Sequence, residues 1–499
     1  MSLHKLEPII YDQGVPGRVG VNLPDCDVPE SQLPAELIRD EVALPEVSEL
    51  QVVRHFVNLS QLNYAIDKGF YPLGSCTMKY NPKVNEDMAR LPGLALLHPL
   101  TDPEGSQGAL ALMYALQNWL AEVAGFAGVS LTPAAGAQGE FAGILMIRKY
   151  HVDRGEAHRN KILVPNSAHG TNPATVTMAG LEVIELPSNS DGNVDLDALK
   201  AACAGDKGKE IAGMMITVPS TLGLFERHIL DVIKTVHDCG GLMYMDGANM
   251  NSLMGAVKPG ELGFDVMHYN LHKTFSTPHG GGGPGCGAVG VAERLMDYRP
   301  GPVVEIVEDV DDDNDAPLYG LVTPSKTIGR LKAFNGNFGM HIRAYAYIRV
   351  YGGEGLKQVS QHAVLNANYI RANLLDTYKI PYPRICGHEF VLEGHFPDAE
   401  GVHALDISKR LMDYGYHPPT NYFPLIVPEA LLIEPTETED KATLDGFIDA
   451  MKKIAKEAKE DPDLLHSAPH TMPVSRLDEV RAAKQLVLCC APVMKAISG

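Results

Sequence analysis

The fold is decided by the stretch from 161 to 246, in which three short apolar runs are separated by helical sequence. The runs are Lys161-Ile162-Leu163-Val164-Pro165, Gly213-Met214-Met215-Ile216-Thr217-Val218 and Gly241-Leu242-Met243-Tyr244-Met245-Asp246. Nearly continuous apolar strands that alternate with helices are typical of a parallel sheet covered on both faces. In such sheets the ligand lies beyond the carboxyl ends of the strands, so the residues that close each run are the candidates for a functional site.

The strongest local signal is the stretch Asp265-Val266-Met267-His268-Tyr269-Asn270-Leu271-His272-Lys273-Thr274-Phe275, followed by His279 and the glycine-rich segment 280–285. It places Lys273 at the end of a strand and before a glycine-rich loop. A desolvated amine in such a place can have a lowered pKa and act as a nucleophile. A surface lysine on a turn is the other interpretation, and the residues alone leave both open.

Three weaker signals follow other predicted strands or open a helix. Asp246 closes the run at 241–246, where it can reach a ligand at the sheet edge or simply cap a helix. His169 follows the strand that ends at Pro165 and is flanked by small residues, although a lone histidine is usually structural. The segment 132–140 is rich in small residues and leads into an apolar helix, which favours an anion site at the helix start or a simple tight turn.

Together these four signals suit pyridoxal 5′-phosphate. Its phosphate needs the helix start, its aldehyde needs the lysine, and its pyridine nitrogen needs a carboxylate to stay protonated. A dinucleotide fold fits less well, because the expected GxGxxG pattern between the first strand and helix is missing, as is a Walker A lysine loop.

The composition of the chain excludes several function classes. Its 499 residues are 45% hydrophobic and 21% charged, which is enough for a packed core and unlike a disordered tail. The 42 Lys and Arg against 62 Asp and Glu give a net charge of −20, which argues against nucleic-acid binding. Since no apolar run approaches the roughly 18 residues of a membrane span and no signal-peptide core is seen at the N-terminus, we expect a cytoplasmic protein without a membrane partner.

The cysteines do not indicate a disulfide framework. Eight cysteines are too dilute in a chain of this length, and none forms a CxxC pair. We interpret the adjacent Cys489 and Cys490 as two reduced, partly buried thiols.

Patterns along the chain predict three units. Residues 1–70 form a proline-rich arm and an amphipathic helix with Leu50, Val53, Phe56 and Val57 on its apolar face, and we expect this unit to pack on a partner subunit or on its own core. Residues 71–350 form the large domain, and 351–499 form a smaller C-terminal α+β domain. A long helix is predicted from Met340 to about Leu375, and the acidic stretch at 305–317 is interpreted as a solvated loop rather than a metal site.

Several longer strings resemble the P-protein family of the glycine cleavage system, the pyridoxal-phosphate glycine decarboxylases. The strings are Leu73–Asn81, Ala135–Glu140, Asn166–Ala174, Asp246–Asn251, Asn270–Phe275 and Ser467–Thr471. The likeness runs from about residue 45 to Glu479, and the length matches the separate second subunit of the two-subunit form. It is loosest in the first 40 residues and in the acidic stretch.

The resemblance implies a fold and a set of residue roles. The fold is fold type I, aspartate-aminotransferase-like, with a mainly parallel sheet in the large domain. Lys273 would hold the cofactor covalently, Asp246 would pair with its pyridine nitrogen and His169 would stack on its ring; these are the three expected catalytic residues. The remaining cofactor-binding candidates are Ala248 on the opposite ring face, Asn249 and Ser220 near the phenolic oxygen, and Gly136, Ala137, Gln138, Asn270 and His272 at the phosphate. Local turn or cap bonding is the alternative for each of these secondary residues.

The resemblance also implies a reaction and its partners. Glycine would be decarboxylated, and its aminomethyl group would pass to the lipoyl arm of the H-protein. P-protein subunit 1 would be the partner in a heterotetramer with two copies of each subunit. No arginine is assigned to the substrate carboxylate.

Two other functions stay open at this point. One is another pyridoxal-phosphate enzyme of the same fold, such as a cysteine desulfurase, which needs a mobile nucleophilic cysteine, or an aminotransferase, which accepts larger amino acids. The other is a subunit that keeps the fold as a scaffold without catalysis, against which Lys273 argues.

Overall fold

The computed structural model describes residues 6–29, 31–39, 42, 44–279, 285–308, 317–399 and 401–488. The prediction for Cys489 and Cys490 and most of the glycine-rich segment at 280–285 lie outside these residues.

A mixed sheet is the centre of the molecule. Within the described residues it has seven strands: β1 (Gly128–Ser130), β2 (Lys161–Pro165), β3 (Glu182–Leu186), β4 (Ile211–Thr217), β5 (Leu242–Gly247), β6 (Val266–Asn270) and β7 (Gly287–Val291). Their spatial order is β1-β7-β6-β5-β4-β2-β3. Neighbours from β3 to β6 are parallel, whereas β7 is antiparallel to both β6 and β1. The carboxyl ends of β4, β5 and β6 therefore meet at one edge.

Helices precede the sheet and connect its strands. They are α1 (Glu49–Leu62), α2 (Lys83–Ala89), α3 (Pro92–Ala95), α4 (Gln107–Ala124), α5 (Gly136–Asp153), α6 (Thr171–Met178), α7 (Leu196–Ala202), α8 (Gly205–Lys209), α9 (Ile229–Asp238) and α10 (Pro259–Leu262). Short 3-10 turns occur at Ile10–Gln13, Ala35–Leu37, Pro103–Ser106, Met250–Ser252 and Glu293–Tyr298.

The sheet is buried on both faces, as the apolar runs predict. In β4 all seven residues are buried; Met214 and Ile216 belong to one apolar cluster, while Ala212 and Met215 belong to another. Helices α4 and α9 contribute to the first cluster and α5 and α6 to the second. Each fully buried Met or Ile side chain stabilises the fold by roughly 1.5–3 kcal/mol. The strand ends are therefore held by a well-packed core.

The acidic stretch begins as a strand. Strand β8 (Val303–Glu308) pairs with the antiparallel strand β9 (Leu318–Val322), and Arg299 donates to Glu305. The prediction of a loop is wrong for 305–308, because pairing with β9 gives the backbone of these residues hydrogen-bond partners. The acidic residues from 309 to 315 lie outside the described residues.

The C-terminal part has its own core. Strands β10 (Phe390–Glu393), β11 (Thr420–Asn421) and β12 (Ala430–Ile433) form an antiparallel sheet in the order β10-β12-β11. The helices are α11 (Phe338–Leu374), α12 (Ala404–Asp413), α13 (Lys441–Glu460), α14 (Pro462–His466) and α15 (Glu479–Lys484). Helix α11 is interrupted at Gly352, whose φ of 60° is left-handed. The second half of α11 packs with α12, α13 and α14 on this sheet.

Helix α1 has the predicted amphipathic sequence. A capping box between Ser48 and Gln51 fixes its start. Leu50, Val53 and Phe56 on its apolar face are each more than half exposed in this chain, and His55 on the other side contacts Gln13 of the arm. Packing of this face on a partner stays a prediction. Within the described part of the chain, no helix has the length and apolar composition needed to cross a membrane.

Candidate active site

A cavity of about 210 Å³ lies at the carboxyl ends of β4, β5 and β6. It is lined by Ser75, Ala135, Gly136, Ala137, Glu140, His169, Thr171, Thr217, Thr221, Asp246, Ala248, Asn249, His268, Asn270, His272 and Lys273. Nine of the eleven residues expected from the sequence are among them. The strand register explains this convergence, because Thr217 pairs with Asp246 and Asp246 with His268 across three neighbouring strands.

Lys273 lies in the turn that follows β6. Its backbone N–H donates to the carbonyl of Asn270 over 3.0 Å, which closes the turn directly after the strand. Its Nζ donates to the carbonyl oxygen of Ser75 over 2.7 Å. The amine is therefore partly buried and held at the cavity by one contact to a distant part of the chain.

Asp246 ends β5 and is only 4% exposed. Its Oδ1 accepts from the backbone N–H of Ala248 over 2.9 Å and lies 3.3 Å from Nε2 of His268, while its Oδ2 accepts from Nδ2 of Asn172 over 3.2 Å. Burial alone would raise the pKa of Asp246, but His268, the Ala248 N–H and Lys273 outweigh burial and hold that pKa below its ordinary value. Asp246 is thus an ionised carboxylate in a buried place.

His268 stands behind Asp246 and was not predicted to belong to the site. Burial lowers its pKa, and the charge of Asp246 opposes that change. Its Nδ1 shares a short hydrogen bond with the hydroxyl of Tyr244 on the neighbouring strand. This contact fixes the ring against the carboxylate.

The first turn of α5 forms one wall of the cavity. Gly136 starts the helix, and a Cβ added to it would lie 1.6 Å from Oδ1 of Asn270. Only glycine therefore allows the helix start and the end of β6 to approach so closely. The first N–H groups of a helix have no partner within it, and the helix dipole places partial positive charge there. This turn is suited to bind a phosphate.

Glu140 lies one turn further into α5 and was also missed. It is 2% exposed; its Oε2 accepts from Oγ1 of Thr171 over 3.0 Å, and its Oε1 has no hydrogen-bond partner among the described residues. Burial and the charge of Asp246 raise the pKa of Glu140 to about 7. Its position four residues after Gly136 in a predicted helix was the one signal that could have placed it in the site.

His169 follows β2 and faces the cavity. Its Nδ1 lies 2.8 Å from Oγ1 of Thr171, and its ring contacts Phe423 edge to face with a centroid distance of 5.4 Å. The side chain of His169 is exposed at the mouth of the cavity, and partial desolvation by the surrounding walls lowers its pKa. On a different side of the cavity, Nδ2 of Asn249 donates to the carbonyl of Pro219 over 2.8 Å, which orients that loop.

Two predicted residues do not line this cavity. Oε1 of Gln138 accepts from the Ala134 N–H over 2.7 Å and its Nε2 donates to the Leu331 carbonyl over 3.0 Å, so the side chain fixes the turn before α5. Ser220 lines a separate cavity of about 10 Å³. Its neighbour Thr221 and the strand residue Thr217 are in the main cavity instead, and Oγ1 of Thr217 is buried without a hydrogen-bond partner in the described chain.

These residues fit pyridoxal phosphate chemically. The cavity combines an amine, an ionised buried carboxylate, a glycine-based helix start and buried polar oxygens without partners, which suits a planar group with an aldehyde, a basic nitrogen and a phosphate. Cys76 lies close to Lys273, but burial raises the pKa of its thiol to about 11. A nucleophilic cysteine of the desulfurase kind is therefore disfavoured at this position.

Comparison with known proteins agrees with this chemistry. A family model described as glycine cleavage system P-protein matches residues 20–390, and one described as glycine dehydrogenase, C-terminal domain, matches 359–470. A probable glycine dehydrogenase (decarboxylating) subunit 2 of Chlorobium chlorochromatii is 56% identical over 491 residues, which is 97% of this chain and 99% of that protein. A protein of the same description from Alkaliphilus oremlandii is 55% identical over 96% of this chain and 97% of its own length.

Solved structures share the fold. A glycine decarboxylase (P-protein) of the glycine cleavage system, in inhibitor-bound form, has a TM-score of 0.70 and 22% identity, with 85% of this chain and 93% of that chain covered. A cysteine desulfurase from Thermococcus onnurineus has a TM-score of 0.60 and 17% identity, with 80% and 98% covered. The predicted fold type I architecture of pyridoxal-phosphate enzymes is thereby confirmed.

Proposed function

The chain belongs to the glycine cleavage system P-protein family, and we propose that it decarboxylates glycine with pyridoxal 5′-phosphate and passes the aminomethyl group to the lipoyl arm of the H-protein. The observation that carries this proposal is the meeting of Lys273, Asp246 and the first turn of α5 in one cavity. When bound, the cofactor supplies an electron sink for the bond that breaks between Cα and the carboxylate of glycine.

The chain's own residues have distinct tasks in this proposal. Lys273 would hold the cofactor aldehyde covalently. Asp246, being ionised, would keep a proton on the pyridine nitrogen, and His268 and the Ala248 N–H keep Asp246 in place. The first turn of α5, together with Asn270 and His272, would hold the phosphate. His169 and Ala248 would contact the ring, and Asn249 would contact the phenolic oxygen.

Orientation is the main contribution of the protein to the rate. The ring must be held so that the bond to the carboxylate stands perpendicular to it, and well-oriented groups can supply roughly 7–11 kcal/mol of a barrier. Among the described lining residues, Lys273 is the only lysine or arginine.

The partners follow from the family. The relatives above are described as subunit 2, so a second kind of subunit completes the enzyme. We propose a heterotetramer with two copies of each subunit, a cytoplasmic location and a lipoylated H-protein as acceptor. H-proteins of this family are acidic and this chain has a net charge of −20, so docking would use a local basic or apolar patch.

The division into units at 1–70, 71–350 and 351–499 is part of the same proposal. The interruption of α11 at Gly352 and the separate apolar core of the C-terminal sheet support the second boundary. The exposed apolar face of α1 supports contact between the first unit and a partner.

Carboxyl exchange tests the activity. The chain is combined with its partner subunit and the lipoylated H-protein, and exchange between labelled bicarbonate and the carboxyl group of glycine is measured. We expect exchange with the wild-type chain and none with Lys273→Ala, with Lys326→Ala on the large domain as a matched control. Absence of exchange with all components present would contradict the proposal.

A further inference from the structure

Two glutamates of the C-terminal part reach toward the loop that holds Lys273. Glu389 precedes β10 and Glu434 follows β12, one position beyond the last paired residues of these antiparallel strands, Phe390 and Ile433. Both side chains are 0% exposed. Neither lines the cavity described above, so any effect of the pair on the reaction passes through other residues.

The two carboxyl groups hold one loop. Glu389 Oε2 accepts from the Ser75 N–H over 2.7 Å, and Glu434 Oε2 accepts from the Thr77 N–H over 2.9 Å. Ser75 and Thr77 have φ values of 64° and 50°, a left-handed conformation that is unfavourable for non-glycine residues and most so for a β-branched one. Such strain persists only where surrounding contacts enforce it.

The Ser75–Thr77 loop is hydrogen-bonded to Lys273. The same Ser75 peptide group that donates to Glu389 accepts from Nζ of Lys273 over 2.7 Å. Glu389, the Ser75 backbone and Lys273 thus form a continuous hydrogen-bonded chain. The position of the amine depends on the position of a loop that the two glutamates fix.

Repulsion between the negative charges of Glu389 and Glu434 favours binding of a proton by the pair. The carboxyl oxygens of Glu389 and Glu434 and a ring nitrogen of His388 lie within 4.8 Å of one another. Each negative charge at such a distance raises the cost of ionising the other buried carboxyl group. Burial raises the pKa of Glu434 to about 7, and burial and the charge of Glu434 raise the pKa of Glu389 well above its ordinary value.

Among the other titratable groups around the pair, Lys273 supplies the positive charge that acts on both glutamates. Lys79 is paired with Glu437 at 2.8 Å, so these two charges cancel. The Cys76 thiol is protonated, since burial raises its pKa to about 11, and the buried His388 is neutral, since burial lowers its pKa to about 3. Lys273 lowers the pKa of both glutamates and also that of Asp246, so its positive charge faces the pair as well as Asp246.

A proton suits this cluster better than a metal ion. Both ring nitrogens of His388 are buried without hydrogen-bond partners in the described residues, which would suit a ligand. However, the charge of Lys273 adds to burial in lowering the pKa of His388, and the same positive charge opposes a bound cation. One oxygen of each carboxyl group is already used by the Ser75 and Thr77 N–H groups.

We propose that Glu389 and Glu434 share one proton and together supply a single negative charge that positions Lys273 through the Ser75–Thr77 loop. They are positioning residues, because neither lines the cavity; they act through that loop, and Glu389 also accepts from Nδ2 of Asn249 over 3.4 Å. The proposal rests on the proposed function for its effect on glycine exchange, but the state of the proton is measured independently of activity.

The first test compares single and double variants. In Glu389→Gln or Glu434→Gln the remaining glutamate ionises and still supplies one charge, so we expect glycine exchange to fall by less than about threefold. In the double variant the charge is lost, and exchange should fall by more than about a hundredfold. Glu393→Gln, at a glutamate of β10 that is 3% exposed, is the matched control and should leave the pair unaffected.

The second test detects the shared proton itself. Infrared spectra of the wild-type protein at pH 7, before cofactor is added, should contain a carbonyl band from a buried protonated carboxyl group that both single variants lack and Glu393→Gln retains. Cofactor absorption and thermal unfolding show whether each variant folds. The proposal would be overturned if the single and double variants lost glycine exchange equally, or if the loss in the double variant equalled the product of the single losses. It would also be overturned if the wild-type band remained in both single variants. Wild type that shows the band but no exchange would contradict only the proposed function.

Discussion

Asp246 and the Glu389–Glu434 pair are buried to a similar degree, yet their pKa values move in opposite directions. Asp246 receives hydrogen bonds from Asn172 and Ala248 and faces His268, so its charged form is stabilised. The two glutamates face each other, and each raises the cost of ionising its neighbour. Burial raises the pKa of all three carboxyl groups; the neighbours of Asp246 outweigh burial, whereas those of Glu389 and Glu434 do not.

The difference in pKa suits Asp246 and the glutamate pair to two different roles. A permanently ionised carboxylate can keep a cofactor nitrogen protonated, whereas a pair with one proton can balance one lysine charge without adding a second negative charge.

Asp246→Asn should be the most damaging of these changes. It removes the ionised carboxylate but retains the shape of the side chain, so cofactor should still bind while glycine exchange falls by roughly 10²–10⁴-fold. Asp265→Asn, another buried aspartate of the same sheet that contacts His237, serves as the control. Exchange near the wild-type rate in Asp246→Asn would show that the charge at this position is not used.

Gly136→Ala tests the first turn of α5, the wall of the cavity that is proposed to bind the phosphate. The new Cβ would lie 1.6 Å from Oδ1 of Asn270, so the helix start must move away from β6. We expect cofactor affinity to fall by about tenfold or more, measured by absorption titration. Gly108→Ala in α4, where an added Cβ meets nothing within 4 Å, should bind cofactor normally.

The pH dependence of stability distinguishes the two kinds of carboxyl group. Because burial raises the pKa of Glu434 from 4.5 to about 7, the folded protein holds this proton more tightly than the unfolded chain. Its stabilising contribution is fully present below pH 4.5 and is lost as the pH rises through about 7. Asp246 behaves oppositely, since its lowered pKa contributes stability that is lost as the pH falls through that pKa.

Urea unfolding at several pH values measures this contribution. Between about pH 4.5 and 7 the free energy of unfolding should fall less in Glu434→Gln than in wild type, by on the order of 2 kcal/mol. The comparison between the two proteins removes the equal contributions of Glu140 and Glu439, whose pKa values are also raised to about 7. Identical pH profiles would show that Glu434 titrates normally.

Cys76 gives the smallest and most local readout of the glutamate charge. Its pKa is raised by burial, lowered by Lys273 and raised again by Glu434 and Glu389. Removing both glutamates should lower that pKa, and alkylation of Cys76 by iodoacetamide should become several times faster, by roughly three- to tenfold. The alkylation rate should stay at the wild-type value in Glu393→Gln. An unchanged rate in the double variant would show that the glutamate pair does not supply a negative charge near Cys76.

The sequence predicted one side of the site and missed the other for a physical reason. Lys273, Asp246 and Gly136 lie at the ends of elements that their own neighbours in sequence define, and parallel strands bring these ends together. Glu389 and Glu434 reach Ser75 and Thr77 from 314 and 357 residues away, and no local pattern encodes such a contact. Gln138 and Ser220 were placed by proximity in sequence, but the side chain of Gln138 bonds to nearby backbone and Ser220 lines the smaller neighbouring cavity.

The fold shows the same division. The apolar runs predicted the buried parallel strands, because burial on both faces demands continuous apolar residues. The antiparallel pairing of β8 with β9 escaped prediction, since a run of carboxylates indicates solvent exposure and says nothing about backbone hydrogen bonds.

The central claim is that Lys273 binds the cofactor at the carboxyl ends of β4, β5 and β6. Borohydride reduction of the enzyme with bound pyridoxal 5′-phosphate, followed by peptide mapping, tests it most directly. The account predicts a pyridoxyl label on the peptide that contains Lys273 and no label in Lys273→Ala. A label on any other lysine of the wild-type chain would contradict it.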